Sequence, residues 1–487
     1  MNIVLQFDNF FNENINFSLI SSMVGDTSTN IHEKLFLDIF TKLDDDFFSS
    51  NVWKENYTCN GFVSRTIITP FCKLTFKRRY YMNKNKDLHD NFYYVDRTLN
   101  LPIRKHLTNE ALALVFNMAV EVNSSYASKN AIPNVIISKQ TVSNYQKNMT
   151  TIYDGSPVVE DTITPITEDI DVIYIEADEA HCNLQNEVSI DDSRDELKTH
   201  FACPIRTKHK NIINKLVLTH SGHNEPNLRL KRKSLANKRY FGGIHMDPTD
   251  LADNIYYSIK TQYDLSRVKY IFVSGDGANW IKSLYKSLKS SLRNSSISII
   301  SVLDKFHTNK ALKSIFASNH SIINYIKSIF NEMTKERFVS ITDAFYAFNF
   351  EHNITEDSFR QNVAYICNNI QEIKNQGHPL YNCHCAMEGQ VSHILARRLT
   401  SRPAGFNEKV LQNLTQMIIF KASGNVITPD IVKMWSKDYL VHQKSKSNRI
   451  IRNWKRIYDC SVELPILNST NTSVKTFFRQ ICHSKTY

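Results

Sequence analysis

From Ile31 onward apolar side chains recur at spacings of three and four. Phe36, Ile39, Phe40, Leu43 and Phe47 fall on one stripe, a period that predicts an amphipathic helix. Asp44, Asp45 and Asp46 sit near its end. Three consecutive carboxylates point in different directions, so they read as a solvated helix end, not a metal site. Between Arg65 and Pro102 the pattern changes to aromatic and β-branched runs, RTIITPFCKLTFKRRYY and NFYYVDRTLNLP. The polar stretch MNKNKDLHD lies between them and predicts the turn of an antiparallel β pair. Thr108 to Val122 reads as a second amphipathic helix. ISKQTVSNYQKNM reads as a third, with Ser138 as N-cap and Val142 and Tyr145 facing inward. Lys139, Gln140, Ser143, Asn144 and Lys147 then face outward.

A Thr- and Asp-rich stretch, Thr150 to Asp169, reads as a linker, and beyond it the character becomes α/β. DVIYIEADEAHCNLQ, IINKLVLTHSGH and KRYFGGIH read as strands, followed by a capped helix in DPTDLADNIYYSIKTQYD. KYIFVSGDGANWIKSL reads as strand, turn and helix. SISIISVLDKFH reads as a further strand ending in a His-bearing turn. Lys310 to Asn375 is mostly helical, and CAMEGQVSHILARRL is a helix that begins at or near Glu388.

At 487 residues the chain exceeds one typical core. Hydrophobic residues make up 42% and aromatics 11%, too many for a mainly disordered chain. The net charge of +11 permits a polyanionic partner. Ten Lys or Arg fall between Arg206 and Arg239 against one acid, Glu225, and six more fall between Lys444 and Arg456 with none. Stripes of this kind, Lys231, Arg232 and Lys233 among them, neutralise phosphates, although an exposed charge run is also the ordinary look of a solvated face. No apolar run approaches the roughly 18 residues of a membrane span, and MNIVLQFDNF lacks a basic-then-apolar signal pattern. The nine cysteines are scattered, which fits reduced cytosolic thiols better than a secreted disulfide scaffold. Cys383, His384 and Cys385 lack the ligand spacing of a zinc finger.

Three carboxylates stand out by position. Asp178 closes the strand VIYIEAD, Asp276 closes YIFVSGD at a Gly-flanked turn, and Glu388 opens a helix. Acids from three separate segments can hold two magnesium ions about 3.5–4 Å apart, and hard oxygen ligands suit that metal. An Asp, Asp, Glu trio can be found in almost any chain of this length, so the strand-end contexts carry the reading. Glu176 lies two residues before Asp178 and faces the same side. That makes it a supporting group or an alternative ligand, while Glu179 faces away. Two further motifs stay open. The basic aromatic β module is either a sheet that tracks a DNA backbone or the core face of a small β domain. The helix at Lys139–Lys147 is either a major-groove recognition helix or an ordinary capped helix.

The segments YIEADEAHCNLQ, VSGDGANWIK, LDKFHTNKAL and MEGQVSHILARRLTSRPAGF resemble, in order and spacing, the ISLre-type family of bacterial insertion-sequence transposases. That family is itself similar to Mutator-type DDE transposases. The match is strongest from about Asp171 to Phe420. The resemblance implies an α/β protein: an RNase H-like catalytic core with a helical insertion, preceded by a small β-rich module and a helix-turn-helix-like DNA-binding region. The domains expected are an N-terminal helical region (1–60), the basic β-rich module (61–104), the helix-turn-helix-like region (105–150) and a linker (151–168). The core then spans 169–310 and 381–425 around a helical insertion at 311–380, and a basic region (426–487) closes the chain.

The resemblance further implies that Asp178, Asp276 and Glu388 bind magnesium, with manganese as a substitute. The Asp304-x-x-His307 turn is similar to a motif of the Mutator-type relatives, and His307 either positions a phosphate or locks its own turn. Trp280 reads as core in preference to a base-stacking wedge. Arg397, Arg398 and Arg402 follow Glu388 and could reach the substrate strand. Ala180 stands where relatives often carry a second acid, and Phe406-Asn407 replaces an expected Trp-Ser.

The function implied is cutting of element ends and joining of 3′-hydroxyls to target DNA. The partners would be double-stranded terminal inverted repeats and target DNA, with no membrane, in a homo-oligomer within the bacterial cytoplasm and nucleoid. The rivals are a catalytically inactive DNA-binding relative and an RNase H-like nuclease that does not join strands.

Overall fold

The computed structural model describes residues 29–88, 90–103, 105–149, 165–166, 168–185, 210–224, 234–293, 295–348, 355–383, 385–400 and 405–436. Lys231, Arg232, Lys233, His384, Arg402 and the basic run 444–456 lie outside the described residues, as do most of the linker and the unit 436–487 apart from Ser436.

The first helix, α1 (Thr29–Ser50), forms as its apolar period requires. Phe36, Phe40 and Leu43 are buried against Ile67, Leu74 and Phe76 of a three-stranded antiparallel sheet. The expected antiparallel pairing across the MNKNKDLHD turn does form, through Tyr80↔Tyr93 and Tyr81↔Phe92, but the sheet has one strand more than the expected pair. The first apolar run divides into β1 (Tyr57–Ile68) and β2 (Lys73–Asn83), and the second run gives only the two-residue β3 (Phe92–Tyr93) before turning helical as α2 (Tyr94–Thr98). The chain turns at Thr69-Pro70-Phe71-Cys72. There the Thr69 hydroxyl accepts from the Phe71 and Cys72 N–H groups, an alternative to the ladder that a threonine before proline offers readily.

The Asp44–Asp46 reading is also corrected. Asp44 is 2% exposed and accepts from the Arg79 guanidinium at 3.0 Å, which also reaches Asp45 at 2.7 Å. Burial raises the Asp44 carboxyl above its ordinary range, and Arg79 opposes that rise. Arg78 is buried as well. It pairs with Asp96 at 3.0 Å and lies over the Tyr93 ring, so within FKRRYY only Lys77 keeps its charge fully exposed.

Three helices follow: α3 (Asn109–Glu121), α4 (Ser124–Asn130) and α5 (Lys139–Asn148). Thr108, Asn123 and Ser138 cap them by accepting from backbone N–H groups. They share a core with one face of a five-stranded sheet.

That sheet comprises β4 (Val172–Leu184), β5 (Lys210–His220), β6 (Arg239–Ile244), β7 (Tyr270–Gly275) and β8 (Ser298–Leu303). The order is β6-β5-β4-β7-β8. β5 runs antiparallel to both β4 and β6, and β7 and β8 run parallel to β4. The parallel strand β7 is covered on both faces, which explains its unbroken apolar run Ile271-Phe272-Val273. One face meets α6 (Pro248–Gln262) and α7 (Asn279–Ser291) through Ile255, Ile259, Leu284 and Leu288. The other meets the core shared with α3–α5. Each such fully buried aliphatic or aromatic side chain contributes about 1.5–3 kcal/mol.

After β8 the chain enters a helical segment with its own core, built on Phe316, Phe330, Phe338 and Phe359. It comprises α8 (Lys305–Ile315), α9 (His320–Ser328), α10 (Lys335–Phe348), α11 (Glu356–Asn368) and α12 (Ile370–Lys374). The chain then returns to the sheet through α13 (Met387–Val391), which runs on as a π-helical turn, Ser392–Ala396, and ends at Leu399. α14 (Glu408–Ala422) and α15 (Pro429–Trp435) complete the described fold. Among the described residues no helix is long and apolar enough to cross a membrane.

Candidate active site

The register of the parallel strands determines which acids become neighbours. β4 and β7 pair from Val172↔Tyr270 to Ala177↔Gly275, and one further step sets Asp178 beside Asp276. β7 and β8 pair from Tyr270↔Ser298 to Gly275↔Leu303, and one further step sets Asp276 beside Asp304. The Asp304 N–H donates to the Gly275 carbonyl at 2.8 Å, so the parallel ladder does continue to that level. Three aspartates therefore stand in a row where β7 and β8 end. Gly275 makes the row fit: a Cβ there would lie 2.6 Å from Ile281 Cδ1 and 2.7 Å from the Ala177 carbonyl oxygen. Gly277, at φ +84°, turns the backbone away after Asp276.

Each acid is held by its own local bond. Asp178 Oδ1 accepts from the Glu179 N–H at 2.8 Å, and Asp276 Oδ1 accepts from the Ala278 N–H at 2.9 Å. Asp304 caps α8 by accepting from Phe306 N–H at 3.1 Å. Tyr365 of the helical segment donates its hydroxyl to the Asp276 carbonyl at 2.6 Å and ties that segment to the row.

Burial is the main influence raising the Asp178 carboxyl to about 6; the neighbouring charge of Asp276 adds to it, while Glu179 N–H and His307 oppose it. Burial also raises Asp304, again opposed by His307 and reinforced by Glu176 and Glu388. His307 thus bears on Asp178 and Asp304 together, and the field of Glu388 reaches Asp304. Glu388 itself is exposed in the first turn of α13. Asp178 and Asp276 are therefore neighbours with His307 near them, while Glu388 is linked to this group only through its field at Asp304. Among the described residues, however, no group of three or more His, Cys, Asp or Glu side chains is drawn together closely enough to hold one metal ion.

Of the expected nucleic-acid contacts, Lys139, Gln140, Asn144 and Lys147 are exposed on α5 and Ser143 is half-buried, while Val142 is buried. Gln140 donates to Asn144 at 2.8 Å along that outer face. Arg397 is exposed, whereas Arg398 donates to the Val120 carbonyl at 2.8 Å and to the Ala119 carbonyl, satisfying the C-terminal end of α3. Trp280 packs against the core under α6 and α7, and its Nε1–H donates to Glu179 at 2.6 Å. Tyr365 and His220 stand in no sequence motif, and only the fold brings Tyr365 to Asp276 and His220 to Glu176, 3.3 Å away.

The fold and site define a mixed α/β protein with a row of aspartates where two parallel strands, β7 and β8, end beside the longer β4. The chain belongs to an uncharacterised protein family, UPF0236, whose model matches residues 10–434. A UPF0236 protein of Caldanaerobacter subterraneus subsp. tengcongensis, whose name joins four locus designations, is 25% identical over 423 residues, covering 87% of this chain and 81% of its own length. Another from the same organism, whose name joins eleven loci, is 23% identical and covers 86% and 80%. Among solved structures, the Drosophila P element transposase strand transfer complex is matched at 13% identity over 69% of this chain and 85% of that one. Its TM-score of 0.23 is below the level at which two chains share a fold.

Proposed function

We propose that this chain is a DDE-type DNA transposase related to the ISLre-type insertion-sequence enzymes, and that its five-stranded sheet is an RNase H-like core. The observation that carries the reading is the register-aligned pair Asp178 and Asp276 on adjacent parallel strands, with the Asp178 carboxyl raised to about 6. The strand order supports it: three antiparallel strands, then two parallel to the first, with a helical segment before the helix of Glu388. The relatives support it too, since several loci of one genome sharing one protein name is the pattern a self-copying sequence leaves.

The donor set fits a hard dication. Asp178 and Asp276 are adjacent half-buried carboxylates whose charges oppose one another, and oxygen ligands suit magnesium or manganese. Asp178 and Asp276 would hold the metal, with Glu388 completing the set. Bound there, it would supply Lewis acidity to a phosphodiester and to the attacking oxygen. The chain's own contribution is placement. The Glu179 and Ala278 N–H groups hold one oxygen of each aspartate and leave the other free to bind. His307 neighbours the row and would bear on the scissile phosphate. The outer face of α5, carrying Lys139, Gln140, Asn144 and Lys147, would read the terminal repeats. Two ends must be brought together, so a homo-oligomer is part of the proposal.

The test uses labelled DNA carrying the two flanks of the gene, incubated with the full chain and magnesium. Transfer of the cut 3′ end into a target duplex is the expected result. Cleavage without joined product would replace this reading with a nuclease, and binding without cleavage would replace it with a DNA-binding protein.

A further inference from the structure

Strand β4 alternates, so Tyr174, Glu176 and Asp178 share one face of the sheet. Glu176 is 1% exposed, and a carboxylate so deeply buried must be fully compensated. Its Oε1 lies 3.3 Å from Nε2 of His220, which is itself completely buried on β5 and stacked on Tyr174. The Gly222 N–H donates to His220 Nδ1 at 3.1 Å, so Nδ1 is the acceptor nitrogen and Nε2 carries the proton toward Glu176. The other oxygen, Oε2, accepts from the Ala386 N–H at 2.8 Å.

Ala386 is the N-cap of α13, and its side chain makes no capping bond. A capping box would bond the N-cap N–H with the side chain three residues on, but that residue is Gly389. Glu176 supplies the missing acceptor from the central strand. Glu388 follows Ala386 by two residues, and Asp178 follows Glu176 by two residues. One buried carboxylate thus joins the backbone segments that carry two of the three acids.

We propose that Glu176, oriented by His220, is a positioning residue that fixes the start of the Glu388 helix against the strand of Asp178. This rests on the reading of Glu388 as part of the active site. Glu176→Gln is the direct test: a single amide oxygen can serve Ala386 or His220, not both. Expected are a fall in kcat for end cleavage of about tenfold, as for loss of an outer hydrogen bond around a metal site, and an unchanged KM for DNA. Amide hydrogen exchange should quicken at 385–391 while the rest of β4 stays protected. Ala386→Pro deletes the donated N–H with Glu176 intact, and should reproduce the same pattern of kcat and exchange.

Unchanged exchange at 385–391 in both variants would overturn the proposal. So would a rise in KM with a global loss of protection, which marks a merely structural residue. If the wild type cleaves no DNA, the functional reading fails, while the exchange measurement still decides whether Glu176 anchors this helix.

Discussion

Asp178 is the residue at which the site is electrically most strained. Its carboxyl titrates near 6 in the fold against 3.8 as the ordinary value, chiefly through burial and with help from Asp276. Between about pH 4 and pH 6 the native state therefore binds more protons than the unfolded chain. In the absence of a dication, its contribution makes stability fall as pH rises through that window. Asp178→Asn removes the buried charge. In chelator, we expect the variant to match the wild type at low pH and to be more stable at pH 7.5 by about 1–2 kcal/mol, a value discounted for the group's partial exposure. Thermal unfolding at both pH values checks this. An equal Tm difference at both would show that the carboxyl is not held protonated by its surroundings. Gly275 makes a second prediction at this scale. Alanine would drive Cβ against Ile281 and the Ala177 carbonyl, so Gly275→Ala should lose about 1–3 kcal/mol in denaturant unfolding.

At the scale of elements, the period of the chain was legible wherever one pattern ran unbroken. α1, β4, β7 and α7 follow directly from apolar spacing, and the cap Ser138 follows from its residue type at the helix start. Asp276 is visible because it follows the end of an apolar strand and Glu388 because it opens a helix, whereas Asp178, expected to close its strand, lies inside β4, which stays paired with β5 as far as Leu184. The N-terminal module is less legible in the sequence, for physical reasons. Two strands joined by a four-residue turn look like one long run when the turn is itself Thr-Pro-Phe-Cys. Asp44 and Arg79 are far apart in sequence, so nothing local shows that they neutralise one another. Arg398 is a similar case. Its neighbourhood in sequence suggests a DNA contact, while in the fold it closes the carbonyl end of α3. Arg398→Ala leaves those carbonyls without their charged partner, and should cost about 1.5–3 kcal/mol of stability. DNA affinity of the folded variant should stay unchanged; a marked loss of affinity without loss of stability would return Arg398 to the binding surface.

At the scale of the whole molecule, the acidic row and the outer face of α5 belong to one fold. Asn413 of α14 donates to the Gln146 and Met149 carbonyls at the end of α5, and α14 packs against β6. If α5 tracks DNA, Lys139 and Lys147 each neutralise a phosphate. Replacing both with alanine should flatten the slope of log affinity against log salt by up to about two. An unchanged slope would move the binding surface elsewhere.

The central claim, that the register-aligned carboxylates form a metal-dependent site for cutting DNA, is tested most directly at Asp276. Asparagine keeps the oxygen that accepts from Ala278 and deletes only the charge. The measurement is cleavage of labelled flanking DNA by the wild type and by Asp276→Asn, in magnesium, in manganese and in chelator. The account predicts cutting by the wild type with either metal, none in chelator, and none by the folded variant. Equal cutting by Asp276→Asn, or cutting that survives chelation, would contradict it.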